Sequence, residues 1–152
     1  MFERLKDALS QRLAGVATMR DEDQVAAAAA MLMLEVAWAD HDIAEVEVER
    51  TQAALTRLFG LTDDVAAAIV TRARTLHGAS ISMSPFTRTV NDALSPEEKL
   101  RLLRDCWRLA NAEGGIDKHE EYTIRRIADL LHIGHREYID AKLAAKRDVR
   151  EP

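Results

Sequence analysis

The stretch VAAAAAMLMLEVAWA, Val25 to Ala39, constrains this chain more than any other feature. Glu35 is its single charged residue, yet the run falls short of the roughly 18 apolar residues that suggest a membrane span. A helix that is apolar nearly all round buries every face, so the rest of the chain must supply helices to surround it. The 152 residues are enough for one domain with a multi-helix core and too few for two ordinary globular units.

The punctuation agrees with an all-α reading. Six Gly and three Pro interrupt a chain dominated by Ala, Leu, Glu and Arg, and no stretch shows convincing period-two alternation of β-branched residues. We expect a compact bundle of about seven or eight helices. Phe2, Leu5, Leu9 and Leu13 form a first amphipathic stripe, and Asp21 can cap the central helix, which runs to about Asp40. A third helix carries Val48, Leu55 and Leu58 to a C-terminal cap at Gly60, and Thr62, Asp63 and Asp64 start a fourth that ends near His77. GASISMS reads as a loop. Ser84-Pro85 and Ser95-Pro96 each start a helix, with Glu97 and Glu98 well placed for the helix dipole. Leu103, Trp107 and Ala110 mark a second central helix, Ile124 and Ile127 its partner, and Tyr138, Ile139 and Leu143 the inner face of a last helix from His135 to about Lys146. Trp38 and Trp107 read as core anchors and Cys106 as core filler. The resulting division is an N-terminal amphipathic helix over residues 1–20, packed on or flexibly attached to the domain, a single helical domain over 21–147 and a frayed tail over 148–152.

The chain also repeats itself. A shift of 73 places Trp107 on Leu34, Glu113 on Asp40, Ile116 on Ile43 and Glu120 on Glu47, and a one-residue slip then matches Leu130 to Leu58 and Ile133 to Leu61. Two helical hairpins follow, each a buried helix, a tight corner with an inward Ile and an amphipathic return helix, packed about a pseudo-two-fold axis.

The corners are acidic. NAEGGIDKHEE resembles a calcium loop, but counting back from Ile116 and Glu120 puts Leu109 at the first ligand position, and Val36 in the other copy, so an EF-hand is excluded. Two accounts of the acids stand side by side. In the first, Asp117 and Glu120 form an acidic capping box, and an Arg such as Arg50, Arg125 or Arg126 neutralises Asp40 and Glu113 at the negative ends of the buried helices. Glu47 fits this less well, because Ala44 offers no side-chain oxygen. In the second, Asp40, Glu47, Glu113 and Glu120, with Asp42 and Asp117 at the margin, supply the oxygen shell that Ca2+ or Mg2+ requires.

The segments VAWAD, LTRLFGL, FTRTVNDALSPEEKLRLL and WRLANAEGGIDKHEEYTIRRIADLLHI resemble the TerB-like family of tellurite-resistance proteins, over about residues 24 to 145. The same domain type is similar to the N-terminal domain of a membrane-bound J-domain co-chaperone. The resemblance implies two pseudo-symmetric helical halves, acids gathered where the corners meet, divalent-cation binding and a place in stress-response complexes. Carried over by position, its acids are Asp40, Glu47, Glu113 and Glu120. His41 stands where the family has Gly, and Glu113 where Asp is usual.

Other chemistries lack their residues. The five His form no metal-ligand spacing, Ser80, Ser82 and Ser84 make no nucleophile elbow, and no Gly-rich phosphate loop occurs. A net charge of −5, with Lys and Arg interspersed among acids, argues against nucleic acid and against an anionic membrane surface. The single cysteine excludes an internal disulfide. With no leader pattern at the start, the expectation is a cytoplasmic, non-catalytic helical module that binds protein partners, allows a homodimer and holds Ca2+ or Mg2+. The alternative is a metal-dependent hydrolase using the same carboxylates.

Overall fold

The computed structural model describes residues 21–38, 43–77, 83–111, 116 and 118–150; the N-terminal stripe from Phe2 to Leu13 lies outside them. Among the described residues there is no strand, and no helix is long and apolar enough to cross a membrane. The helices are α1 (Asp21–Ala37), α2 (Glu45–Phe59), α3 (Asp63–His77), α4 (Ser84–Ala93), α5 (Pro96–Ala110), α6 (Lys118–Leu130) and α7 (His135–Arg150).

The Ala-rich helix lies where its composition requires. Ala26 through Ala30, Leu32, Met33 and Leu34 are fully buried, and α1 packs against α2, α3, α4, α5 and α6. Five alanines in succession leave little bulk on any face, which suits a helix surrounded by five others. The second central helix is α5, with Leu102, Leu103, Cys106 and Trp107 fully buried; it packs on α1, α2, α6 and α7.

The repeat is larger than a hairpin. α1, α2 and α3 correspond to α5, α6 and α7, with α4 as the connection between the two sets. α1 packs on α6 just as α5 packs on α2, which is the exchange of partners that a pseudo-two-fold arrangement demands. Gly60 and His132, equivalent under the one-residue slip, both adopt left-handed backbone, with φ of 65° and 61°. The Gly60 N–H donates to the Thr56 carbonyl at 3.0 Å, a single left-handed cap, whereas the His132 and Ile133 N–H groups donate to the Asp129 and Ala128 carbonyls at 3.1 and 2.9 Å, a Schellman cap. The third helices begin alike too: Ala66 N–H on the Thr62 carbonyl at 3.0 Å matches Tyr138 N–H on the Gly134 carbonyl at 2.9 Å.

α4 starts at Ser84 as expected, and the Met83 carbonyl before it accepts from the Phe86 and Thr87 N–H groups, both at 3.0 Å. Other expectations need correction. Trp38 is 38% exposed rather than a core anchor. Its repeat counterpart is the half-buried Asn111, so this position is a helix exit and not a core site. Trp107, in contrast, is buried against Tyr138, with ring centroids 5.4 Å apart. Leu143 is 49% exposed, because Tyr138, Ala141 and Ala145 take the inner face of α7 at spacings of three and seven. That helix continues to Arg150, past the expected end near Lys146, since neither Gly nor Pro interrupts it before Pro152.

Gly60→Ala should lower stability by about 1–2 kcal/mol, the cost of placing a Cβ in left-handed backbone. His132→Gly should raise it by less, since the freedom of Gly in the unfolded chain offsets part of the relief. Thermal denaturation of the two variants gives both signs. A pH effect follows from the start of α5, where Ser95 N–H donates to Glu98 Oε1 at 2.9 Å and Ser95 Oγ accepts from the Glu98 N–H at 3.2 Å. The Ser95 N–H, with the Ser95 side chain beside it, holds the Glu98 carboxyl below the ordinary glutamate value of 4.5. A depressed folded value means that the contribution is complete above 4.5 and is lost as pH falls through the lowered value. Melting temperatures followed from pH 6 down to about pH 3 should therefore fall more steeply for the native chain than for Glu98→Gln.

Candidate functional site

Two acids from the sequence reading, Glu47 and Glu120, lie among the described residues. Asp40, Asp42, Glu113 and Asp117 lie outside them. Glu47 and Glu120 occupy equivalent places in the first turns of α2 and α6, and both are buried, at 3% and 7% exposure. A helix start is a suitable place for a carboxylate, because the N–H groups and the dipole are positive there.

Glu47 caps its helix although Ala44 has no side-chain oxygen. Its Oε1 accepts from the Ala44 N–H at 2.9 Å, while the Ala44 carbonyl accepts from the N–H groups of Glu47 and Val48 at 3.0 and 3.1 Å. Half of a capping box is therefore made by the glutamate and the other half by backbone alone. The Thr51 hydroxyl donates to the Glu47 carbonyl at 2.8 Å and is itself fully buried. Ile43 is buried beneath the corner, and its carbonyl accepts from Arg74 Nη2 of α3 at 3.4 Å. Arg74 was not foreseen as a basic neighbour of the corner. Arg50 lines a groove between α2 and α5, and Arg125 sits over the Tyr138 ring at 5.4 Å, while the acids they were expected to neutralise, Asp40 and Glu113, lie outside the described residues.

Hard carboxylate oxygens shielded from water suit Ca2+ or Mg2+. Among the described residues no three His, Cys, Asp or Glu side chains assemble as a metal set. A full shell thus requires acids of the corners themselves, Asp40 and Glu113 first.

A second ionic centre was not foreseen at all. Asp105 on α5 is 4% exposed, and its Oδ1 accepts from Arg57 Nη2 of α2 at 2.7 Å and from Arg108 Nη1 at 3.0 Å. The Arg57 bond joins the two halves. Its repeat counterpart is apolar, because Leu32 stands where Asp105 would be. The carboxylate next to Cys106 adds to the effect of burial in pushing that thiol well above its usual range, so Cys106 stays protonated as core filler. The signal for this centre was an acid within an apolar helical stripe, with an Arg three residues on.

The fold and site define a class: all-α bundles made of two pseudo-two-fold-related helical halves, each with a buried glutamate in the first turn of its return helix. The family model described as tellurite resistance protein TerB matches residues 26–143, and the chain belongs to that family. No curated protein and no solved structure matches the chain.

Arg57 is 55% exposed and Arg108 remains when it is removed, so Arg57→Ala should cost only about 1 kcal/mol. Arg57→Ala combined with Arg108→Ala leaves the Asp105 carboxylate buried without either cation and should cost about 3–5 kcal/mol, more than the sum of the single changes. Urea denaturation of the three variants measures the non-additivity.

Proposed function

We propose that the chain is a non-catalytic, cytoplasmic interaction module of stress-response complexes, in which Ca2+ or Mg2+ joins the corners of its two halves. The observation that carries this reading is the burial of two equivalent carboxylates, Glu47 and Glu120, one in each half. Burial of a carboxylate is costly unless several partners satisfy it. A divalent cation is a partner that can serve both halves at once. Asp40, Glu47, Glu113 and Glu120 are the ligands in this proposal, with Asp42 and Asp117 at the margin. Family membership supports the fold, whereas the task rests on the site, so tellurite resistance is not part of the proposal.

Calorimetric titration of the full chain with Ca2+ and with Mg2+ tests the ion. Binding heat and a higher melting temperature are expected for the native chain, and neither for Glu113→Gln or Glu120→Gln. Glu47→Gln should retain the cap, since an amide oxygen also accepts from the Ala44 N–H, while weakening the ion. Absence of heat and of any thermal shift in the native chain would remove the cation from the reading. Phosphoesterase or peptidase turnover in added Mn2+, lost in the same variants, would replace the module by a metal-dependent hydrolase.

A further inference from the structure

Lys and Arg look interspersed with acids along the chain, yet folding gathers five arginines on one face. Arg50 and Arg57 are seven residues apart on α2, and Arg101, Arg104 and Arg108 follow spacings of three and four on α5, so each helix presents a row of guanidinium groups. The rows border a groove of about 420 Å³ lined also by Ala53, Asp105 and Leu109, and an adjoining recess of about 190 Å³ shares Arg57, Asp105 and Arg108 with it. Among the described residues Asp105 is the single acid lining either space. The described lining carries five positive charges and one negative, with Glu98 also acting on Arg101, on a chain whose net charge is −5. Among the described residues Arg50, Arg101 and Arg104 form no ion pair, and all three are exposed.

We propose that this groove docks an acidic segment of a partner protein, with its Asp and Glu side chains on Arg50, Arg101 and Arg104 and its apolar residues against Ala53. Asp105 already shows the favoured contact, a carboxylate held by two guanidinium groups at 2.7 and 3.0 Å. All five cations are arginine, whose planar fork and weak hydration suit carboxylate pairing at a protein interface better than lysine does. Arg101 and Arg104 lie about one helical turn apart, which matches carboxylates one turn apart on a short helical segment. A nucleic acid fits less well: no aromatic residue lines the groove to stack a base, and the acidic remainder of the molecule repels an extended polyanion.

The inference names the partner class for the interaction reading given above, but it is independent of the cation, so the test is run in EDTA. A fluorescein-labelled 14-residue peptide with Glu at helical i,i+4 spacing and interleaved Leu is titrated with the full chain by fluorescence anisotropy, beside its Glu→Gln counterpart. The Glu peptide should bind and the Gln peptide should not. Affinity should fall several-fold between 50 and 200 mM salt, and about tenfold or more when Arg50→Glu and Arg104→Glu are combined. The milder pair Arg50→Gln and Arg104→Gln, with an unchanged melting temperature, keeps the comparison valid if charge reversal disturbs folding. Equal binding of both peptides, no binding of either, indifference to the substitutions, or tighter binding of a uridine oligonucleotide or a phosphoserine peptide would each overturn the proposal. Peptide binding without calorimetric ion binding would remove the cation alone, and the reverse would remove the groove alone.

Discussion

Close packing around α1 is the constraint on which the molecule depends. A helix with Ala26 through Ala30 fully buried presents a thin cylinder, and only such a cylinder accommodates α2, α3, α4, α5 and α6 around it. Enlarging one of these alanines would displace a neighbouring helix or force strained rotamers, the overpacking that costs about 1–3 kcal/mol in a dense core. α5 resolves the equivalent problem differently. It encloses Trp107 and Cys106, so the second half fills with bulky side chains what the first lines with alanine.

Features set by local chemistry were legible in the sequence. The central position of α1 follows from its lack of any polar face, and the end of α2 at Gly60 follows from the ease with which Gly adopts positive φ. The repeat was legible as matched apolar positions, but its third helix was not: Ala66 and Tyr138 share a backbone bond and no side-chain likeness. Features set by tertiary context were misread. Trp38 has the composition of a core residue and the position of a helix exit, and Leu143 loses the inner face of α7 to two alanines because alanine lets α7 approach α5 closely. The Ser84-Pro85 signal located the start of α4, but the capping was done by the Met83 carbonyl.

The candidate site was legible to the same extent. Glu47 and Glu120 were singled out because they align in the repeat, and alignment predicts equivalent burial when the two halves share a fold. The capping of α2 by Glu47 was underrated because capping boxes are identified from a side-chain oxygen at the cap, whereas here the Ala44 backbone supplies both its N–H and its carbonyl. Asp105 was passed over because a charged residue within an apolar stripe reads as an irregularity until a cation from another helix is found beside it.

That ionic centre also explains why the molecule is not simply twice its half. Where the second half has Asp105, the first has Leu32, and where the first has Arg57, the second has Asp129. Symmetric positions bury apolar groups alike, but the charge pair exists on one side only, and every arginine of the groove lies next to it on α2 or α5. A buried carboxylate tends to recruit more positive charge than one guanidinium, because each added donor reduces its desolvation penalty. Once Arg57 and Arg108 satisfy Asp105 from the groove wall, additional arginines gain little from it and face water or a partner's acid instead. The repeat therefore supplies the frame, and the departure from symmetry at a single buried acid lies beside a strongly basic surface on an acidic molecule.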